Sequence, residues 1–406
     1  MREAGSPDYE PAGLVARFFS RELLDPATPG IAERAAKEIT ASGKSYVCLL
    51  DSAELLSEPV VADLRRYFSE IYRLTGADSG NTRTGRVALV VASRLDAGWR
   101  GLSPRPRFRS LELPAFTITD VSMAVRDLAD RTAKSLYPLD RERAATRLGA
   151  LSAGLPELLT SYLAWLADTQ WHLLDSLADE QLFREIGYPF VRNRLLSTDS
   201  LLPQAPAHHL SDRRQLIEDA LRLVAPYRIF TQSHLREHLQ PGGRLSDGLA
   251  LSGWSSEDLW NAISRSALLD HSRDDPWLSL EPSIRQLLFR YFYPTDEARA
   301  RAQLEALEFD RLWSAVLAGA EQVAGATECL WHEATMLRLL DTDEIEVRLS
   351  ESVHELSKTL RPVGSFTPKV LRREFARRLA EDKDLQNLAH GLSDLHGRLI
   401  RIVTEA

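Results

Sequence analysis

The residues best suited to chemistry in this sequence close two short apolar runs. Tyr46-Val47-Cys48-Leu49-Leu50 ends in Asp51, and Val87-Ala88-Leu89-Val90-Val91-Ala92 ends in Ser93 and Arg94. A carboxylate at the end of a buried parallel strand can serve a magnesium ion, and polar groups ending the neighbouring strand can reach phosphates. A triphosphate also needs the loop Gly-x-x-x-x-Gly-Lys-Ser/Thr after an earlier strand, and the sequence has none. Gly43-Lys44-Ser45 imitates the end of that loop. The position five before Gly43 is Glu38 rather than glycine, and a helix pattern precedes where a strand should. A phosphate loop needs the opposite order, so that helix amides face the anion. This tripeptide reads as a helix-to-strand turn.

Other constellations are weaker. Asp51 could simply cap a turn, and Arg94 could belong to a solvated basic loop with Arg100, Arg105, Arg107 and Arg109. His234-Leu235-Arg236-Glu237-His238 fits the inverted zincin pattern, in which two histidines one turn apart face a zinc ion. That site needs a third ligand from a distant helix. Both histidines are expected on an exposed polar face, and no metal site is assigned. Cys48 and Cys329 are the only cysteines, which excludes a disulfide framework and a zinc ribbon. No Gly-x-Ser-x-Gly elbow or kinase motif set occurs, so no catalytic residue is assigned.

The elements that must position these residues follow from pattern. At 406 residues, 44% apolar and 27% charged, the chain has the composition of an ordinary globular protein of several domains. A net charge of −8 gives no global attraction to nucleic acid or anionic membrane. The first 30 residues lack a signal-peptide core, and no apolar run is long enough to span a membrane, so a cytoplasmic protein is expected. A helix is predicted around 14–24. Ile31, Ala35 and Ile39 mark another, and Val60, Leu64, Phe68, Ile71 and Tyr72 a third, with Ser57 and Pro59 at its start. With the two apolar runs this gives helix–strand–helix–strand, the order of a parallel sheet with crossover helices. Helices continue to about Leu196, interrupted at Gly154-Leu155-Pro156. From Ser211 to Pro294, helices near 212–224, 231–239 and 256–266 precede two short strands, the pattern of a winged helix. The rest is helical, with Thr367-Pro368 as a start signal and Leu388, Leu392, Leu395, Leu399 and Ile402 as a stripe. The fold class is therefore α-rich and multidomain. Expected units are a partial P-loop-like α/β domain (1–125), a helical lid (126–200), a winged helix (201–294) and a C-terminal helical bundle (295–406).

The order of these parts resembles the STAND-class signalling ATPases, the group with NB-ARC and NACHT modules. Leu49-Leu50-Asp51 is similar to their Walker B strand, and Ala92-Ser93-Arg94 to their sensor strand. Leu111-Glu112-Leu113-Pro114 is similar to the line that leads into their lid, and Gly154-Leu155-Pro156 to the Gly-x-Pro that sets a proline against adenine. The resemblance covers roughly 31–293 and implies a remnant nucleotide site of Asp51, Ser93, Arg94 and Pro156. The second acid of Walker B, which orients the attacking water, is replaced by Ser52, and the phosphate loop is missing. Positioning for phosphoryl transfer is therefore absent.

The resemblance implies an inactive or truncated module that is not an enzyme and carries no cofactor. It would act through protein partners in a bacterial signalling or conflict (defence) assembly. The alternative is an active ATP–magnesium switch whose phosphate loop lies outside this chain. A third reading, a winged-helix DNA-binding regulator, meets acids where phosphates would approach: the candidate recognition helix opens Ser255-Ser256-Glu257-Asp258. Trp260 and Ile263 on that helix read as core. Oligomeric state is not encoded in any pattern found.

Overall fold

A computed structural model of the chain describes residues 30–42, 46–50, 58–75, 87–92, 115–132, 138–168, 174, 176–202, 210–266, 268–270, 277–389 and 394–405. Contacts divide the chain into two units, Met1–Leu113 with Pro203–Pro206, and Pro114–Leu202 with Ala207–Ala406. The architecture is helix-rich, with one small two-stranded parallel sheet among the described residues.

The first unit contains α1 (Ile31–Ser42), β1 (Tyr46–Leu50), α2 (Glu58–Leu74) and β2 (Val87–Val91). The strands pair in parallel from Tyr46↔Val87 to Leu50↔Val91, as the helix–strand–helix–strand order predicts. The Ala92 N–H donates to the Leu50 carbonyl at 2.7 Å and carries the ladder past the last pair. Apolar residues at helical spacing build the core. Ala35 and Ile39 of α1 meet Leu64, Phe68 and Ile71 of α2 over Cys48, with Tyr67 adding an edge-on ring 5.5 Å from Phe68. Strand residues alternate between two faces. Cys48 turns to the helices, while Val47 and Leu49 are 55% and 65% exposed on the opposite face. That face of the sheet is open. The predicted helix at 14–24, Ser57 at the start of α2 and the line Leu111-Glu112-Leu113-Pro114 lie outside the described residues.

The second unit opens with α3 (Ile118–Arg131), α4 (Pro138–Ser152) and α5 (Pro156–Asp168). The Thr117 hydroxyl accepts from the Asp120 N–H at 3.3 Å, and the Asp120 carboxylate accepts from the Thr117 N–H at 2.8 Å. This reciprocal cap fixes where α3 starts. Between α4 and α5 the backbone turns left-handed at Ala153 and Gly154. A Cβ on Gly154 would lie 2.6 Å from the Phe116 carbonyl oxygen, so only glycine lets segment 115–117 lie against this turn.

α6 runs from Asp179 to Leu195 with two wide turns, Phe183–Gly187 and Val191–Leu195, in which an N–H reaches five residues back. Pro189 lies between them. It has no N–H to give to an ordinary α turn, which favours such a distortion. The buried residues Phe183, Gly187, Val191 and Leu195 stay on one stripe although they are spaced by four.

After α7 (Thr198–Leu201) come α8 (Leu210–Val224), α9 (Gln232–Leu239), α10 (Ser246–Ser252), α11 (Ser256–Ser264) and α12 (Pro282–Phe292). Antiparallel bridges join Phe230 to Leu278 and Leu269 to Leu280. α10 was not foreseen in the sequence. It has only seven residues, between glycine-bearing turns, too short for a helical period to register. Gly248 lets it approach α8, since a Cβ there would lie 2.9 Å from Leu216.

The remaining helices are α13 (Asp296–Val316), α14 (Gly319–Leu339), α15 (Ile345–Thr359), α16 (Pro368–Glu381), α17 (Lys383–Ala389) and α18 (Leu395–Glu405). Thr367 caps α16 and Pro368 occupies its first turn, as the sequence signals. α14 is central: its buried residues point in nearly every direction, among them Val323, Leu330, Trp331 and Leu337. Leu395 and Leu399 are buried in the same core and Leu388 and Ile402 pack at its margin, while Leu392 lies outside the described residues.

Candidate functional site

Of the residues suggested as a remnant nucleotide site, Asp51, Ser93 and Arg94 lie outside the described residues, as do Ser52 and Gly43-Lys44-Ser45. β1 and β2 do end together, with Leu50 opposite Val91. Pro156 belongs to the other unit, where it is exposed and opens α5.

The most developed polar arrangement among the described residues is one that sequence reasoning missed. It joins the 226–239 segment to the C-terminal helices and has two parts. In the first, Arg228, between α8 and α9, is clasped by two carboxylates. Its Nε and Nη2 donate to Glu328 of α14 at 3.0 and 2.8 Å, and its Nη1 donates to both Asp382 oxygens at 2.9 and 2.8 Å. Asp382 also accepts from the Leu385 N–H at 3.0 Å, which ties the clasp to the start of α17. The Arg228 and Arg285 guanidinium carbons lie 4.9 and 4.8 Å from the centre of the Trp331 ring. Such stacking suits a planar, weakly hydrated cation. Burial alone would lower the pKa of Arg228, but Glu328 and Asp382 outweigh it and raise it. Arg285 moves the other way. Burial and the neighbouring Arg228 cation depress it, and Asp384, at 3.8 Å, offsets that only in part.

In the second part, Asp310 of α13 stands between two histidines. Its Oδ1 lies 3.4 Å from His234 Nε2 and its Oδ2 lies 3.1 Å from His332 Nε2, and all three side chains are almost wholly buried. Neither contact has the alignment of a good hydrogen bond. The other nitrogen of each ring is engaged. His234 Nδ1 accepts from the Thr231 N–H at 3.0 Å, and His332 Nδ1 meets Gln303 Oε1. Aromatic rings enclose the group, with Tyr227, Phe309 and Trp313 centred 4.7, 4.8 and 5.2 Å from the His234 ring. Burial alone would push the Asp310 carboxyl up. The two histidines outweigh that and hold it below the usual carboxylate range.

This corrects the reading of His234 and His238 as a pair on an exposed face. His238 is half-buried, but His234 turns inward, because the first turn of α9 packs against α13. No group of three or more ligating side chains placed to hold a metal ion is found among the described residues. Nothing in the spacing of Arg228, Gln303, Asp310 or His332 announced them. The available signal was local: Glu328, His332 and Glu333 interrupt the stretch of α14 from Val323 to Leu337, which is otherwise apolar and small, and a charge inside such a stretch must find a partner.

No described helix is long and apolar enough to cross a membrane. No protein-family model matches this chain, and neither curated proteins nor solved structures yield a match.

Proposed function

We propose that the chain is a STAND-like regulatory module without catalytic activity, which holds or relays a conformational state between protein partners. In this reading 1–125 is a degenerate P-loop-like domain, 126–200 a helical lid, 201–294 a winged helix and 295–406 a C-terminal bundle. The helices and antiparallel bridges from Leu210 to Phe292 support the winged-helix part. The observation that carries the regulatory reading is the Arg228–Glu328–Asp382 clasp. A buried ion pair adds little net stability compared with apolar packing, yet it accepts one geometry and rejects others. That suits a junction that must be either docked or released.

Asp258, which could have faced phosphates, is instead occupied in capping α11, where its carboxylate accepts from the Ser255 N–H at 2.9 Å. An acid held ionised at the helix start disfavours DNA as the partner.

The joint ending of β1 and β2 favours one second reading, an ATP–magnesium switch completed by a phosphate loop from outside the chain. Calorimetric titration with ATP and ADP in magnesium, alongside a turnover assay, separates the two. The regulatory reading expects neither binding nor hydrolysis. Tight binding or turnover that disappears in both Asp51→Ala and Arg94→Ala would replace it with the second reading.

A further inference from the structure

Two exposed patches of opposite charge lie at the two ends of α15. At its C-terminal end the chain carries no acid between Glu355 and Glu374, but it carries Lys358, Arg361, Lys369, Arg372 and Arg373. Among the described residues none of these five is in an ion pair, and Glu321, two residues past Gly319, meets none of them. Every residue from Arg361 to Val370 is exposed. The segment is nonetheless held firmly at its base. The buried Gln322 side chain donates to the Thr359 carbonyl at 3.1 Å and accepts from the Arg361 N–H at 2.6 Å. The Gly319 N–H donates to the Arg361 carbonyl at 3.1 Å, and the Phe366 N–H closes a tight turn on the Val363 carbonyl at 3.0 Å. Gly364 is left-handed at the tip, where an added Cβ would meet nothing within 4 Å. The turn thus projects, with Val363, Phe366 and Val370 standing 52%, 38% and 40% exposed among the bases.

The N-terminal end of α15 is the counterpart. Asp341, Asp343 and Glu344 join α14 to α15, exposed and, among the described residues, in no ion pair. Leu340 and Val347 beside them are 53% and 60% exposed. The neighbouring bases are occupied. Arg348 reaches Glu333 at 3.7 Å, Arg398 reaches Glu346 at 3.1 Å, and Arg338 donates to the Leu388 carbonyl at 2.7 Å. Acids at the start of a helix and bases at its end suit the helix dipole. That accounts for Glu344 and Lys358, but not for the apolar side chains left in water at both ends. The 15 residues of α15 separate the patches by about 22 Å, well beyond the roughly 8 Å over which exposed charges act in physiological salt. One copy cannot bring its own patches together.

We propose that this chain binds a second copy of itself head to tail, the basic turn Arg361–Val370 of one copy seating on the acidic corner Leu340–Val347 of the next. The apolar side chains of the two patches cover one another, and Arg361, Lys369 and Arg373 face Asp341, Asp343 and Glu344 around them. Such a contact uses a different surface on each partner, so it repeats along a row of copies. An anionic membrane or a nucleic acid would satisfy the bases and leave the acidic, apolar corner without a role. A second copy accounts for both ends.

Sedimentation velocity of the full chain over a wide range of concentration tests the contact. The mean mass should rise with concentration at low salt, and added salt should weaken that rise. Phe366→Ser should weaken association about tenfold or more, the loss expected of an interface anchor. Lys369→Gln with Arg373→Gln should weaken it about three- to tenfold, and so should Asp343→Asn with Glu344→Gln. These side chains are exposed, so thermal unfolding should be unchanged in every variant. Mixing the two double variants distinguishes head-to-tail pairing from other association. Each keeps the patch that the other lacks, so one-to-one pairs should form at concentrations where neither variant associates alone. A wild type that stays monomeric at low salt overturns the proposal, whatever else the turn binds. So does association that either double variant leaves intact, or a mixture that stays monomeric where the wild type associates.

Discussion

When two carboxylates clasp one guanidinium, removing the guanidinium leaves both of them buried and uncompensated. Arg228→Ala is therefore expected to cost about 3–5 kcal/mol of stability, measured by urea denaturation at constant pH. A triple replacement of Arg228, Glu328 and Asp382 by apolar residues of similar size should recover most of that loss, because the desolvated charges go together. Asp310 makes a different prediction, one in pH. Its carboxyl is depressed in the folded chain, so its contribution is fully present above the ordinary carboxylate value of about 3.9. That contribution disappears as the pH falls through the lower, folded-state value. The stability gap between wild type and Asp310→Asn should be constant from pH 5 to 6 and shrink below about pH 4, as followed by acid titration of the unfolding midpoint. At this scale the sequence was least informative. Arg228 and Asp310 look like any surface charge until burial assigns them partners, and His234 could be placed on the wrong face because one helical turn offers too few apolar neighbours to fix a direction.

Elements were easier to foresee where local chemistry determines them. Thr367-Pro368 and the apolar stripe of α2 follow from spacing and capping rules that act within a few residues, and the parallel order of β1 and β2 follows from the helix that lies between them in the chain. α10 and the wide turns of α6 do not, since a short helix and an i−5 bond leave no period to detect. α11 shows the intermediate case. Ile263 is fully buried as expected, but Trp260 is half-buried and meets Phe230 edge-on, with ring centres 6.2 Å apart. Trp260→Ala is therefore expected to fall at or below the lower end of the roughly 3–5 kcal/mol usual for a large core truncation. Thermal unfolding measures that loss. The same preparation should show no salt-dependent binding to duplex DNA, because Glu257 and Asp258 stand in the first turn of the helix.

For the molecule as a whole, the division into two units predicts two unfolding events. Calorimetry should resolve a transition for Met1–Leu113 and another for the remainder, and a fragment spanning 114–406 should retain the second. A fragment that cannot fold alone would show that the units are not separable. Composition and element order made a helix-rich, multipart chain legible from sequence. The extent of the α/β part was harder to judge. Two strands and two helices bury only one side of a sheet, and an apolar strand reads the same whether one face is covered or both.

The wide turns of α6 also bear on chain length. A ring closed by an i−5 bond contains one residue more than an α-helical ring, so each wide turn stores a spare residue. Losing one residue within 183–187 or 191–195 would let that turn relax to an ordinary α ring and leave the facing of the helix on either side almost unchanged. The same loss in α14, where buried residues point nearly all round, would rotate every later side chain by about 100°. α6 is thus a place where the chain can shorten by single residues while the helices around it keep their positions.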